Sequence, residues 1–236
     1  MSGDANTLRD APDFVKEDRS VVQPAIQQHP LSLQHVHPDF QADEELVMAA
    51  VQKDGLALQH ASSQLQSNLE IVRAAVTNNS QALHFASASL LADRDFILEL
   101  LIGDDASEDS LTAPCKKYGL SLSAMQYAAQ ALKADKELAL LAVKKNGGAL
   151  EHLASALRDD KDVVYVAVTC RYDNCFAFAS ERLRGDWSIA FEAVRRSVQA
   201  MRWVPDRLRS DRAFMLAVLP FHAAYPGHQA AGEGLC

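Results

Sequence analysis

The sequence predicts an all-α protein: an α-solenoid of about seven to eight stacked two-helix repeats with a period near 25 residues. Three observations predict it. Asp18, Asp43, Asn68, Asp93, Asp135, Asp160, Asp186 and Asp211 follow one another at intervals of 25, 25, 25, 42, 25, 26 and 25 residues. Behind each of them, positions three, four, seven and eight are apolar, as in Leu46, Val47, Ala50 and Val51. A second apolar set then ends in a Leu, with a two-residue link before the next Asp or Asn, as Leu58, Ala61 and Leu65 do before Asn68. The i, i+1, i+4, i+5 spacing puts the first set on one side of an α-helix, whereas a strand would divide it between two faces.

Residues 1–17 read as a polar lead-in, mobile to about residue 14, with Phe14 and Val15 at the end of a missing earlier helix. The first repeat block spans 18–102. In each copy the Asp or Asn is placed to cap a first helix, and acids such as Glu45, Glu70 and Glu137 suit the positive end of its dipole. Pro24 sits inside the first of these helices, where it removes a hydrogen bond. Lys53-Asp54-Gly55, Asn78-Asn79-Ser80 and Asn146-Gly147-Gly148 are residue types that tolerate a left-handed helix closure. A second helix of about ten residues is expected after them. Hairpins this short cannot stand alone in water and must stack on their neighbours.

The interval of 42 marks an acidic insertion loop at 103–116, with Asp104, Asp105, Glu108 and Asp109. It lacks the alternate ligands and central Gly of an EF-hand, so a solvated loop is expected rather than a calcium site. The second block spans 117–220. Pro205 is expected to interrupt its penultimate copy, Pro220 to stop the last first helix, and 221–236 to form a loose tail.

These residues resemble a tandem helical repeat family, the domain of unknown function numbered 4116, whose pattern is Asp-x-Glu-apolar-apolar, Ala-Val, Asn-Gly, Ala-Leu, aromatic-Ala-Ser, Leu-x-x-Asp. The best copy carries Leu138 to Val143, Asn146-Gly147, Ala149-Leu150 and Leu157-x-x-Asp160, and the likeness runs from about Asp18 to Leu219. The resemblance implies an all-helical repeat fold and brings no catalytic residues.

The net charge of -8 argues against general nucleic-acid binding. No signal peptide is evident and no apolar run reaches membrane-spanning length, which points to a soluble, intracellular (cytoplasmic) protein. Cys115, Cys170, Cys175 and Cys236 are too few and too irregular for a disulfide framework, and none completes a zinc set, so no metal or cofactor is expected. His35, His60 and His152 share a repeat position with Phe85, Tyr127, Phe178 and Trp203, which asks for a flat packing ring. His84 stands outside that place with no evident partner. Ser62, Ser87, Ser155 and Ser180 follow the second apolar set, where small residues let helices approach.

Basic residues concentrate late. Lys133, Arg158, Arg184 and Arg209 hold one repeat position, while Arg182 and Arg207 hold another, so a stacked array would turn them into a ladder along one edge. The expected function is therefore a non-enzymatic repeat protein that binds another protein, as an accessory or scaffold subunit of a larger assembly. One alternative is anion or lipid-headgroup binding by the Arg ladder. Another is an enzyme using Cys170 and Cys175.

Overall fold

The computed structural model describes residues 8–102, 124–170 and 175–223. These are helical, with no strand among them. The chain divides into two compact units, 1–132 and 133–236. The acidic residues of the insertion, together with Cys115 and Cys236, lie outside the described residues.

In the first unit the long helices are Arg19–Gln28, Glu44–Lys53, Leu69–Asn78 and Arg94–Ile102. In the second they are Lys136–Lys145, Lys161–Thr169, Trp187–Arg196 and Arg212–Ala223. Every capping residue expected from the repeat does its work. Asn68 Oδ1 accepts from the N–H groups of Glu70 and Ile71 at 3.0 and 3.3 Å, and Asp135, Asp160, Asp186 and Asp211 repeat the pattern. Each cap contributes about 1 kcal/mol. The apolar quartets form the core. Ile71, Val72, Ala75 and Val76 are buried, as are their counterparts in every interior copy. Full burial of one such aliphatic side chain stabilises by roughly 1.5–3 kcal/mol.

The second half of each unit differs from the expectation of a ten-residue α-helix. In most copies it is a six-residue 3-10 helix, such as Gly55–His60, Ser80–Phe85 or Gly147–His152, followed by a separate short turn such as Ala88–Leu91 or Ser155–Arg158, whereas residues 124–127 form an α-helical turn and Cys175–Phe178 a shorter 3-10 segment. Leu58 and Ala61 are three residues apart, a spacing the two helix types share, and 3-10 geometry stacks such residues directly over one another. The closures are not left-handed either. Asp54, Asn79 and Asn146 are extended, with φ near -141°, -145° and -144°, and each caps the 3-10 helix that follows. Gly55 and Gly147 are required by close approach. A Cβ on Gly55 would lie 2.2 Å from the Ala75 carbonyl oxygen of the next copy, and one on Gly147 would lie 2.6 Å from that of Ala167.

Three further expectations are corrected. Leu8 is 2% exposed and Asp13–Lys16 is a helical turn, so the lead-in is folded from residue 8. Pro220 does not end the last helix, which continues to Ala223. Pro205 occupies the N-cap place of the Asp206–Arg209 turn, where its fixed φ fits and no helix is interrupted.

Candidate binding surface

The surface is set out by one backbone hydrogen bond per copy, described here by position counted from the capping residue. The N–H at position 19 donates to the carbonyl two residues before the cap. His37 donates to Lys16, Ser62 to Gln41, Ser87 to Gln66, Ala129 to Leu91, Ala154 to Lys133 and Ser180 to Arg158, the last shifted by the one extra residue of its copy. In the first unit the acceptor residues include Gln41 and Gln66, whose amides bond back to the Leu33 and Leu58 carbonyls at 3.1 Å. In the second unit the same place holds Lys133, Arg158, Arg184 and Arg209. The register bond thus sets Lys133 and Arg158 at successive steps of one row. Pro205 has no N–H, so the Arg184 carbonyl loses this bond.

The side chains of the row differ in their commitments. Arg182 donates through Nε to the Asp159 carboxylate at 3.0 Å and through Nη2 to the Asp159 carbonyl at 2.7 Å, and Arg209 pairs with Asp206. Lys133 lies near enough to His152 to help depress its pKa, after the larger effect of burial. Arg158 and Arg184 are half-buried, their Nε atoms have no hydrogen-bond partner, and neither forms an ion pair among the described residues. Arg207 is exposed.

Other cations tie one copy to the next. Lys136 Nζ bridges Asp160 and Asp162 at 2.7 and 3.0 Å, Lys161 reaches Asp186 at 2.9 Å, and Arg19 reaches Asp43 and Glu45 at 2.5 and 2.8 Å. In all three the cation stands one after a cap and answers the cap of the following copy. The signal was present in the sequence as a basic residue at position 1.

A second device at position 10 escaped sequence reading. Asn78 donates to the Gln52 and Lys53 carbonyls and accepts from Gly55 N–H at 3.0 Å, clamping the end of the preceding helix. Lys53 Nζ reaches the Gln27 carbonyl in the same way. Cys170 takes this place in its copy, its thiol donating to the carbonyls of Val143 and Lys144. Cys175 is buried and donates to Ala167 at 3.2 Å. Burial pushes the Cys170 thiol up, with only partial offset from Arg196, and a raised pKa leaves less of the nucleophilic thiolate. The cavity between the two cysteines holds about 10 Å³, room for at most one water.

The shared ring position is half-buried at His35, His60, Phe85, Tyr127, His152 and Phe178. His60 is lowered by burial and further by the neighbouring charge of His35. His84 does have partners: it packs against Phe85 and Tyr127 at ring separations of 5.2 and 5.4 Å. The serines are caps rather than close-approach residues. Ser62, Ser87 and Ser180 accept from Leu65, Leu90 and Leu183, whereas Ser155 falls one place out of register and Ala154 stands in the cap position.

Fold and surface together define a tandem helical-repeat protein whose copies are joined by a backbone register bond and, at three junctions, by an ion pair from the residue after one cap to the cap of the next copy. Residues 43–91, 113–158, 135–184 and 160–209 each match the family described as a domain of unknown function, DUF4116. The matches cover more than half of the chain, and the chain belongs to this family. No curated protein and no solved structure matches it. Among the described residues, no helix is long and apolar enough to cross a membrane and no cluster of His, Cys, Asp or Glu could hold a metal ion.

Proposed function

We propose that this repeat protein is a non-enzymatic docking module that receives an acidic segment of another protein along the basic row of its second unit, as an accessory or scaffold subunit of a larger assembly. One observation carries the reading. Arg158 and Arg184 share a repeat position, are half-buried and form no ion pair among the described residues. Lys136, Lys161, Arg182, Arg195, Arg196 and Arg209 are paired, and Lys144, Arg202, Arg207 and Arg212, also without an ion pair, are exposed. A planar guanidinium with its Nε already out of water suits a bidentate carboxylate. Residues 133–236 carry fifteen Lys and Arg against thirteen Asp and Glu, net +2, in a chain of net charge -8. The cysteines support a non-enzymatic reading, since both thiols are engaged by backbone carbonyls.

The test is affinity capture by the full chain at low and high salt, with Arg158→Ala/Arg184→Ala beside the wild type. The expected result is an acidic protein held by the wild type, released by salt and lost in the double variant. Equal retention by the variant overturns the reading. Capture of anionic vesicles but of no protein would transfer the same cations to the headgroup alternative.

A further inference from the structure

The copy begun by Asp160 carries a thiol at two of its packing places. Cys170 stands at position 10, where it clamps the preceding long helix. Cys175 stands at position 14 once the extra residue of its copy is allowed for, and that buried place is Ala57, Ala82, Ala149 and Ala200 in other copies. Its sulfur is therefore one heavy atom more than the methyl that the repeat accommodates there.

Two bridges hold the cysteines close. The Ala167 carbonyl accepts both the Cys170 backbone N–H and the Cys175 thiol, each at 3.2 Å, so the Cys175 sulfur lies at most twice that distance from the Cys170 nitrogen. Gly147 supplies the second bridge. Its N–H is bonded to the Cys170 sulfur, and a Cβ built on it would lie 3.4 Å from the Cys175 Cβ. Both side chains line the cavity of about 10 Å³, with Arg196 beside them. Their exposure differs: Cys170 is half-buried and can be reached from solvent, whereas Cys175 is 2% exposed. A disulfide needs Cβ atoms about 3.5–4.5 Å apart, a span that a turn of the Cys170 side chain off its two carbonyls can meet.

We propose that Cys170 and Cys175 are an oxidative modification site, closed to an intramolecular disulfide by a hydroperoxide, and that closure releases the clamp between the copies begun by Asp135 and Asp160. The Cys170 thiolate attacks one oxygen of the hydroperoxide and the O–O bond breaks. An alcohol, or water from hydrogen peroxide, leaves with the proton of the Cys170 thiol, and Cys170 becomes a sulfenic acid. The Cys175 sulfur then attacks the Cys170 sulfur, the S–O bond breaks, and hydroxide departs with the Cys175 proton as water. Two thiols thus give up two electrons and two protons to one peroxide. Both S–H donors are consumed, so the Val143 and Lys144 carbonyls lose the donor that ties them to the next copy. The Gly147 N–H loses the Cys170 sulfur when that sulfur turns towards Cys175.

Peptide mass mapping of the full chain tests it. The protein is exposed to a small excess of hydrogen peroxide, its remaining thiols are alkylated, and it is cut with trypsin. Cleavage after Arg171 puts the two cysteines on separate peptides, 162–171 and 172–182. The expected product is these two joined, lighter than their sum by two hydrogens and parted by a thiol reductant. Cys115→Ser/Cys236→Ser is expected to give the same linked pair. Amide exchange should run several-fold faster at Gly147 after oxidation, while Gly55, held by Asn78, keeps its rate. The proposal is overturned if both cysteines stay reduced at peroxide levels that oxidise the denatured chain, if they link only to Cys115 or Cys236, or if oxidation stops at sulfur acids with no link. A linked pair with unchanged exchange at Gly147 overturns the release of the clamp.

Discussion

Asn78 and Cys170 do the same work with different chemistry. Each reaches back from position 10 to the last carbonyls of the preceding long helix, the amide at 2.9 Å and the thiol at 2.9 and 3.1 Å. Asn78 also satisfies the Gly55 N–H, so Asn78→Ala strands a part-buried donor and is expected to cost about 1–3 kcal/mol in chemical denaturation. Cys170→Asn, which copies the arrangement of Asn78, is expected to leave stability within about 1 kcal/mol of wild type. Thiol labelling of the native protein should run slower at Cys170 than in the denatured chain; equal rates would contradict its engagement. Nothing in the residue types Lys, Asn and Cys announces a shared position, which is why the clamp was not legible until the backbone placed them. Glycines divide in the same way. Gly55→Ala must push the Ala75 carbonyl of the next copy away and is expected to cost more than about 2 kcal/mol. Gly185→Ala meets nothing closer than 3.5 Å in a right-handed conformation, and is expected to be neutral or to stabilise by about 0.5–1 kcal/mol.

At the scale of the element, the long helices were legible because cap, dipole and quartet say one thing at fixed offsets. The second halves were not, because the Leu58 and Ala61 spacing fits both an α-helix and a 3-10 helix. The caps also set the pH response. Burial works to raise Asp186, but the Ser188 hydroxyl, the Lys161 ammonium and the Ile189 N–H outweigh it and bring its pKa down to about 2. A depressed carboxylate stabilises the fold above its unfolded value of 3.8, and that stabilisation, up to about 2 kcal/mol, is lost as pH falls towards 2. His60 and His152 act earlier. Burial, the larger cause at both, lowers them from 6.5, so the unfolded chain takes up their protons first and stability falls as pH drops below 6.5. Melting temperature against pH should therefore decline in two stages. Asp186→Asn should weaken the acid stage and leave the earlier one unchanged, the remainder being sustained by Asp18, Asp159, Asp160 and Glu192, whose pKa values are also lowered by hydrogen bonds. His60→Phe, which installs the ring found at Phe85, should weaken the earlier one.

At the scale of the whole chain, the interval of 42 is the feature that a repeat must absorb. The Ala129 N–H donates to the Leu91 carbonyl at 2.8 Å, the same bond that Ser87 makes to Gln66, so residues 124–134 are the second half of the copy begun by Asp93. Met125, Ala128 and Leu132 are buried in the places of Leu83, Ala86 and Leu90. That copy therefore meets its neighbour with the geometry of an uninterrupted one, and the 17 extra residues between Ile102 and Ala124 are not needed for its register. Removing 103–119 restores the period of 25. The change in loop-closure entropy is small, since each doubling of loop length costs only about 0.6 kcal/mol, so the shortened chain is expected to unfold within about 1 kcal/mol of wild type. Chemical denaturation of the two chains side by side checks this. A loss of several kcal/mol would mean that the inserted residues supply contacts of their own and that the array depends on them; an unchanged midpoint would leave the insertion available for a role other than holding the fold.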